Sequence, residues 1–182
     1  MRAFIAIDLP DHIKKKISAA IQTLKTIGLD AKWVKPGDLH LTLKFLGNIE
    51  KNNLESIREN IDEVASNLKT FPAYLDNFDF FPNERKPRVF FVKVAARGLL
   101  ESIAKSLEER LEKIGFKKEG RFKPHVTLAR IKSIKDIDNL KSKISSIALK
   151  ESFYIKEIVL IKSTLTSCGP IYENIFKSSL TA

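Results

Sequence analysis

Two of the three histidines in this sequence begin the same short pattern, His-x-Thr-Leu. It reads H-L-T-L from His40 and H-V-T-L from His125. In an extended strand side chains alternate between the two faces, so His40 shares a face with Thr42, and His125 with Thr127. A neutral imidazole can take a proton from water, a protonated one can donate to a leaving oxygen, and hydroxyls can bind phosphate oxygens. Two such pairs around one ligand suit phosphoryl chemistry.

The elements around the two patterns follow the same order in each half of the chain, because apolar residues recur first at strand spacing and then at helical spacing. The first half predicts a strand at Arg2–Asp8, a helix from Asp11 capped by Gly28, a strand at Leu39–Phe45 and a helix at Asn52–Leu68. The second half predicts a strand at Arg88–Val94, a helix over Leu100–Ile114, a strand at His125–Arg130 and a helix over Ile137–Ile147. Strands at Ile155–Ser163 and Tyr172–Phe176 follow, and Phe78–Lys86 is predicted to be an irregular connection.

This repetition predicts one two-lobed domain over residues 1–182, with repeat units at about 1–70 and 86–150 and C-terminal strands at 151–178. A unit of this size leaves one face of its sheet uncovered, so the two copies should pack together. The His-Thr faces require one wet side on each sheet, which favours antiparallel strands. We therefore expect an α+β fold with an approximate twofold axis, antiparallel sheets with outer helices, and a central groove that carries both histidines.

Composition narrows the class of protein. The net charge of +10 favours polyanionic partners such as RNA. The apolar runs are far shorter than the roughly 20 residues of a membrane span, and the first ten residues do not resemble a secretory signal, so we expect no membrane association and a cytoplasmic location. The single cysteine, Cys168, is predicted to be structural or incidental, and His12 is predicted to lie on the surface. Thr and Lys beside the paired histidines are poor metal ligands, so no metal site is expected.

The motifs and their flanks also resemble a known family. The segments W-V-K-P-G-D-L-H-L-T-L-K-F-L-G at 33–47, R-F-K-P-H-V-T-L-A-R at 121–130 and K-S-T-L-T-S-C-G-P-I-Y at 162–172 carry the resemblance. They are similar to those of RNA 2′,3′-cyclic phosphodiesterases, the 2′-5′ RNA ligase family of the two-histidine (2H) phosphoesterases. The resemblance covers essentially the whole chain.

The resemblance implies hydrolysis of a terminal 2′,3′-cyclic phosphate on RNA to a 2′-phosphate, without metal or other cofactor. It places His40 as the proton donor to the departing 3′ oxygen and His125 as the proton acceptor for water, an order that the sequence alone leaves open. Reverse 2′-5′ ligation is expected to be minor. RNA ends, including those of tRNA fragments, are the expected partners of a monomeric protein.

Further residues are predicted to contact the substrate. The resemblance makes Arg130 a phosphate contact, although strict alternation puts it opposite His125 unless the strand ends or bulges at Ala129. Lys44 is in register with His40 and is a candidate contact to the RNA backbone. Phe122 is the candidate for stacking on a base, whereas Phe45 has the apolar parity of Leu43 and is predicted to pack in the core.

Two other classes of function remain open from the sequence. One is a two-histidine enzyme acting on a small cyclic phosphate, such as ADP-ribose 1″,2″-cyclic phosphate or a cyclic nucleotide. The other is a non-catalytic RNA-binding module in which the histidines only contact phosphate. Substitution of either histidine would change the rate of cyclic-phosphate opening only if the protein is an enzyme.

Overall fold

A computed structural model describes residues 1–26, 29–134, 136–167 and 169–182, so the predicted cap Gly28 and Cys168 lie outside the described residues. The strands are β1 (Arg2–Asp8), β2 (Asp30–Trp33), β3 (His40–Asn48), β4 (Phe71–Phe81), β5 (Val89–Ala95), β6 (His125–Ser133), β7 (Ser152–Ile155), β8 (Glu157–Thr166) and β9 (Gly169–Ser179). The helices are α1 (Asp11–Lys25), α2 (Asn53–Ser66), α3 (Leu99–Lys113) and α4 (Ile137–Ser146), with a short 3-10 turn at Pro36–Asp38.

The strands of the described chain form one antiparallel sheet in the order β7-β4-β5-β6-β3-β1-β8-β9, and β2 pairs with the second half of β6. The sheet has two halves of four strands, β3-β1-β8-β9 and β6-β5-β4-β7. They are joined where Leu41 of β3 pairs with Val126 of β6. The expected antiparallel α+β architecture is therefore confirmed, with the two sheets continuous along this seam.

Each half-sheet exchanges strands with the other half of the chain. After α2, the chain crosses to the second half-sheet and adds β4 beside β5. After α4 and β7, it returns and adds β8 beside β1. Because each half-sheet contains a strand from beyond its own sequence repeat, the two lobes are interlocked.

The apolar core lies between the helices and one face of the sheet. The buried stripe of α1 includes Ile13, Ile17 and Leu24, and that of α3 includes Leu100 and Leu107. Burial of one such side chain contributes about 1.5–3 kcal/mol. The opposite sheet face, which we call the groove face, carries on β1 and β8 a smaller cluster of Phe4, Ala6, Val159 and Ile161, with Tyr172 packed against it.

Several strands differ from the predictions made from the sequence. The predicted irregular connection from Phe78 is wrong in its first part, because β4 continues to Phe81. A register shift between Leu75 and Phe78 interrupts the alternation of apolar residues there, which hides the strand in the sequence. The short strands β2 and β7 were not predicted.

Across the described ranges, every helix falls short of the length and apolar character that a bilayer span needs.

Candidate active site

The strands β3 and β6 both contain a β-bulge directly after the His-x-Thr segment. In β3, Thr42 pairs with Ala6 and Lys44 pairs with Ile5, so Leu43 is the extra residue. In β6, Thr127 pairs with Phe91 and Ala129 pairs with Phe90, so Leu128 is the extra residue. A bulge reverses the alternation of side chains beyond it. Each strand therefore buries two consecutive residues and then returns the next one to the groove face.

The two His-Thr pairs line one central cavity of about 380 Å³ on the groove face. The antiparallel pair Leu41–Val126 sets His40 level with Thr127, and Thr42 level with His125. The two histidines are then diagonal neighbours across the seam, for which about 7–8 Å between backbone positions is typical. The four side chains predicted from the motifs are thus brought around one space large enough for a small ligand.

A backbone carbonyl two residues earlier in the chain holds the imidazole of His40 in place. Its Nδ1 lies 2.7 Å from the carbonyl oxygen of Asp38. A carbonyl can only accept, so Nδ1 carries the hydrogen, and Nε2 of the neutral ring is left as the proton acceptor. The ring packs against Phe4, with centroids 4.8 Å apart, and meets the ring of Tyr172 edge-on at 5.2 Å.

The imidazole of His125 is held in the same way from the other lobe. Its Nδ1 donates to the carbonyl oxygen of Lys123 at 2.6 Å, so its Nε2 is likewise the reactive nitrogen. Two phenylalanines fix the ring by edge contacts, Phe81 at 5.0 Å and Phe91 at 5.1 Å between centroids. Each histidine therefore has its tautomer set by a carbonyl two residues earlier and its orientation set by aromatic neighbours.

The electrostatic surroundings of the two rings differ. Burial lowers the pKa of His40 below its ordinary value, while the Asp38 hydrogen bond and the carboxylates of Asp8 and Asp38 oppose this shift. Burial also lowers the pKa of His125, and there the hydrogen bond to Lys123 is the opposing influence. Among the described residues, a carboxylate thus favours the protonated form of His40 but not that of His125.

Arg130 is exposed on the groove face and lines the central cavity. The bulge at Leu128, one residue before the predicted position Ala129, returns Arg130 to the side of His125, and the strand does not end there. Phe45 holds the corresponding position in β3, and its predicted core packing is wrong. It is 54% exposed and lines the same cavity, because the bulge at Leu43 reverses its parity.

The predicted contact between Lys44 and the RNA backbone is wrong. The same bulge turns Lys44 away from His40, and the residue is 1% exposed. Its ammonium donates to the carboxylate of Glu108 on α3 at 2.8 Å and to the carbonyl oxygen of Lys117 at 2.9 Å. Glu108 also accepts from the backbone N–H of Glu119 at 2.6 Å. Lys44 therefore ties β3 to the helix and loop that precede the His125 strand.

Phe122, the candidate for stacking on a base, is half-buried and packs against the apolar core. It is not among the described residues that line the central cavity. His12 lies in a different cavity, beside Asp11 and Tyr154. Within the described ranges, no three His, Cys, Asp or Glu side chains come together as a metal site would require.

Sequence reasoning did not single out several residues that line the cavity, notably Trp33, Lys32 and Tyr172. Burial raises the pKa of the Tyr172 hydroxyl and the charge of Asp38 adds to the increase, while Arg130 and Arg2 oppose it. Trp33 and Tyr172 both fall inside segments that carry the family resemblance. Those segments were the signal that could have identified them.

Comparison with known proteins identifies the family to which this fold and its paired-histidine site belong. The family model of the 2′-5′ RNA ligase superfamily matches residues 10–166, and the chain belongs to that superfamily. The resemblance seen in the sequence is therefore confirmed.

Two archaeal relatives are both named RNA 2′,3′-cyclic phosphodiesterase. The chain is 38% identical to the one from Methanocaldococcus jannaschii and 34% identical to the one from Archaeoglobus fulgidus, and each match covers 96% of this chain and 98% of the relative. Among solved structures, TT0787 of Thermus thermophilus superposes with a TM-score of 0.82 at 29% identity, covering 99% of this chain and 98% of the other. E. coli LigT complexed with 3′-AMP shares the fold with a TM-score of 0.76 at 24% identity, covering 100% and 98%.

Proposed function

We propose that the central cavity hydrolyses the 2′,3′-cyclic phosphate at the end of an RNA strand to a 2′-phosphate. The observation that carries this proposal is the placement of His40 and His125 in one cavity, each with Nδ1 bound to a carbonyl. Both rings thereby offer Nε2 for proton transfer. The relatives named RNA 2′,3′-cyclic phosphodiesterase support the choice of substrate.

The reaction requires one base and one acid on opposite sides of the phosphorus. His125 accepts a proton from water while the water oxygen forms a bond to phosphorus. The bond from phosphorus to the 3′ oxygen breaks, and His40 donates its proton to that oxygen. The products are a 3′-hydroxyl and a 2′-phosphate, and exchange with solvent restores the two imidazoles. General acid and base catalysis of this kind accelerates reactions by about 10²- to 10⁴-fold.

The surroundings of the rings support this assignment of roles. Burial lowers the pKa of both rings, and at His40 the carboxylates of Asp8 and Asp38 oppose that lowering, which favours the protonated form that a proton donor needs. In the described part of the chain, no carboxylate does the same for His125, which suits a proton acceptor.

The remaining polar groups of the cavity suit the charge that develops on phosphate. Thr42 and Thr127 can donate hydrogen bonds to the nonbridging oxygens. The guanidinium of Arg130 can neutralise the charge on the same oxygens, in the manner of a preorganised oxyanion site. The net charge of +10 adds a general attraction for RNA. Ends of tRNA fragments are one source of such substrates. Ligation by a 5′-hydroxyl in place of water is the same chemistry reversed.

Product analysis tests the proposal. The protein is incubated with a short RNA ending in a 2′,3′-cyclic phosphate, and in parallel with ADP-ribose 1″,2″-cyclic phosphate. We expect rapid conversion of the RNA to an end bearing a 2′-phosphate, in the presence of a chelator. Faster opening of the ADP-ribose compound would assign a small-molecule enzyme. RNA binding without turnover would assign a binding module.

A further inference from the structure

The central cavity continues into a second cavity that plays no part in the proposed reaction. This second space, of about 640 Å³, shares the residues Arg2, Gly47, Ser163 and Leu165 with the central cavity. We call it the β1 cavity because it lies at the beginning of strand β1. The two spaces therefore form one continuous surface along the groove face.

The β1 cavity lies at a distance that fits the next part of a bound strand. Gly47 pairs with Ala3 and His40 pairs with Asp8, which are five residues apart on β1, and at about 3.3 Å per residue this corresponds to about 17 Å. Because Gly47 lines both cavities, the central cavity reaches this far from His40, and the β1 cavity extends the groove beyond it.

The two ends of β1 differ in charge on the groove face. Arg2 lies at the end nearest the β1 cavity, and Asp8 lies at the end nearest His40. A third cavity beyond Asp8 is lined by Asp11 and Glu157 but also by Lys156, and Glu157 pairs with Lys177 at 2.6 Å. Lys14 partly offsets Asp8 through an ion pair of 2.6 Å. Because lysines offset the carboxylates at the Asp8 end, that end gives an RNA backbone little net attraction, whereas Arg2 attracts it at the other end.

The β1 cavity offers both kinds of surface that a nucleotide uses. Arg2 is exposed, and among the described residues it has no carboxylate partner. Lys162 also lines the cavity but pairs with Glu173 at 2.7 Å, so Arg2 is the stronger anion contact. Leu165 is 65% exposed and Met1 is 39% exposed, which provides apolar surface for a base.

The chemistry of the substrate allows its chain only one way out of the central cavity. In a terminal 2′,3′-cyclic phosphate both of these ribose oxygens are bonded to phosphorus, so the strand continues only through the 5′ oxygen. We propose that the β1 cavity binds the RNA immediately 5′ of the terminal nucleotide, with Arg2 on a phosphodiester and Leu165 against a base. This inference rests on the proposed function and makes the protein selective for strands over mononucleotides.

The test compares two substrates, a mononucleoside 2′,3′-cyclic phosphate and a short oligouridylate ending in the same group. The ratio of their kcat/KM values isolates the contribution of the upstream chain. We expect the unmodified protein to favour the oligonucleotide, and Arg2→Ala to lower the ratio about fivefold, the size of one lost charge-assisted contact.

Lys132→Ala is the matched control. It removes one positive charge from an exposed strand position seven residues beyond His125, as Gly47 is seven residues beyond His40. We expect it to leave the ratio unchanged. Equal losses in the two variants would assign the effect to net charge, and a loss confined to Lys132→Ala would place the strand on the other lobe. Either result overturns the proposal, as does an unchanged ratio in Arg2→Ala.

A binding measurement separates this inference from the proposed function. Fluorescence anisotropy follows a labelled oligouridylate ending in a 2′-phosphate over a series of salt concentrations. Loss of one phosphate contact lowers the slope of log K against log salt by about 0.7, and we expect this for Arg2→Ala but not for Lys132→Ala. If neither substrate is hydrolysed, the proposed function fails, while this slope still decides where the strand binds. Equal thermal unfolding midpoints exclude misfolding as the cause.

Discussion

The strands β3 and β6 have the same pattern of burial over nine residues, although their side chains differ. Each begins with a half-buried histidine, bulges after the Thr and exposes the residue that lies five positions beyond the histidine. At the two buried positions next to the bulges, one lobe has Lys44 and the other has Ala129. At the exposed positions, one lobe has Phe45 and the other has Arg130. The two strands thus have equivalent backbones, and the exposed residue beyond the bulge is cationic only in β6, where it is Arg130.

The charged residues next to the two histidines also differ between the lobes. On the neighbouring strand, Asp8 pairs with His40, whereas Lys93 pairs with His125. The ammonium of Lys93 is itself paired with Asp79 at 2.7 Å. A symmetric pair of imidazoles would have no preferred acid. On the roles proposed for His40 and His125, this difference in neighbouring charge gives the proton transfer its direction.

The largest expected effect tests whether both lobes act in one reaction. His40→Ala and His125→Ala should each slow hydrolysis of a mononucleoside 2′,3′-cyclic phosphate by about 10³-fold. The double variant should be little worse than either single one, because acid and base act on one transition state. Rates are measured by chromatography of the products, with His12→Ala as the control. Retention of full activity in one single variant would mean that one lobe suffices.

The second effect compares the two exposed bulge positions. Arg130→Ala should lower kcat/KM by about 10²-fold, which is typical for removal of one group that stabilises developing oxyanion charge. Phe45→Ala should have a much smaller effect, because its ring carries no charge. Steady-state kinetics on the same substrate measures both. Similar losses at the two positions would contradict the electrostatic difference between the lobes.

The third effect concerns stability, at the buried bulge positions. Lys44→Met should reduce the free energy of unfolding by about 3 kcal/mol, because the buried ammonium and its bond to Glu108 are lost. Urea denaturation measures this change. The control Lys177→Met removes a partly exposed pair with Glu157 and should cost less than about 1 kcal/mol. Equal losses would show that burial adds nothing to the Lys44 pair.

The smallest expected effect is a shift in the pH dependence of kcat/KM, which reports the pKa values of the two imidazoles. On the proposed roles, His125 is neutral and His40 is protonated in the active form, so kcat/KM should be bell-shaped, falling below the pKa of His125 and above the pKa of His40. Asp8→Asn removes a charge that raises the pKa of His40 and releases Lys14, whose charge lowers it. The alkaline limb should therefore move to lower pH while the acid limb stays in place. Asp11→Asn serves as the control, and a shift of the acid limb instead would reverse the assigned roles.

Much of the fold could be predicted because its helices have clear apolar stripes. The helices α1 and α3 lie within a few residues of their predicted positions, since Ile13, Ile17, Leu100 and Leu107 recur at helical spacing and are buried. The strands β2 and β7 are only four residues long, too short for a period to appear. In β4 a register shift between Leu75 and Phe78 interrupts the pattern.

By itself, the sequence determined the two His-x-Thr-Leu motifs, the period-two placement of each His with its Thr, and the family. Local alternation fixes those faces because neighbouring side chains in a strand point in opposite directions. Only the tertiary structure decided that Arg130 and Phe45 enter the cavity while Lys44 leaves it, and that Tyr172 packs on His40. A bulge is defined by the pairing of two strands, and contacts between distant segments depend on how the chain crosses between the lobes. Neither property can be read from the spacing of residues along one strand.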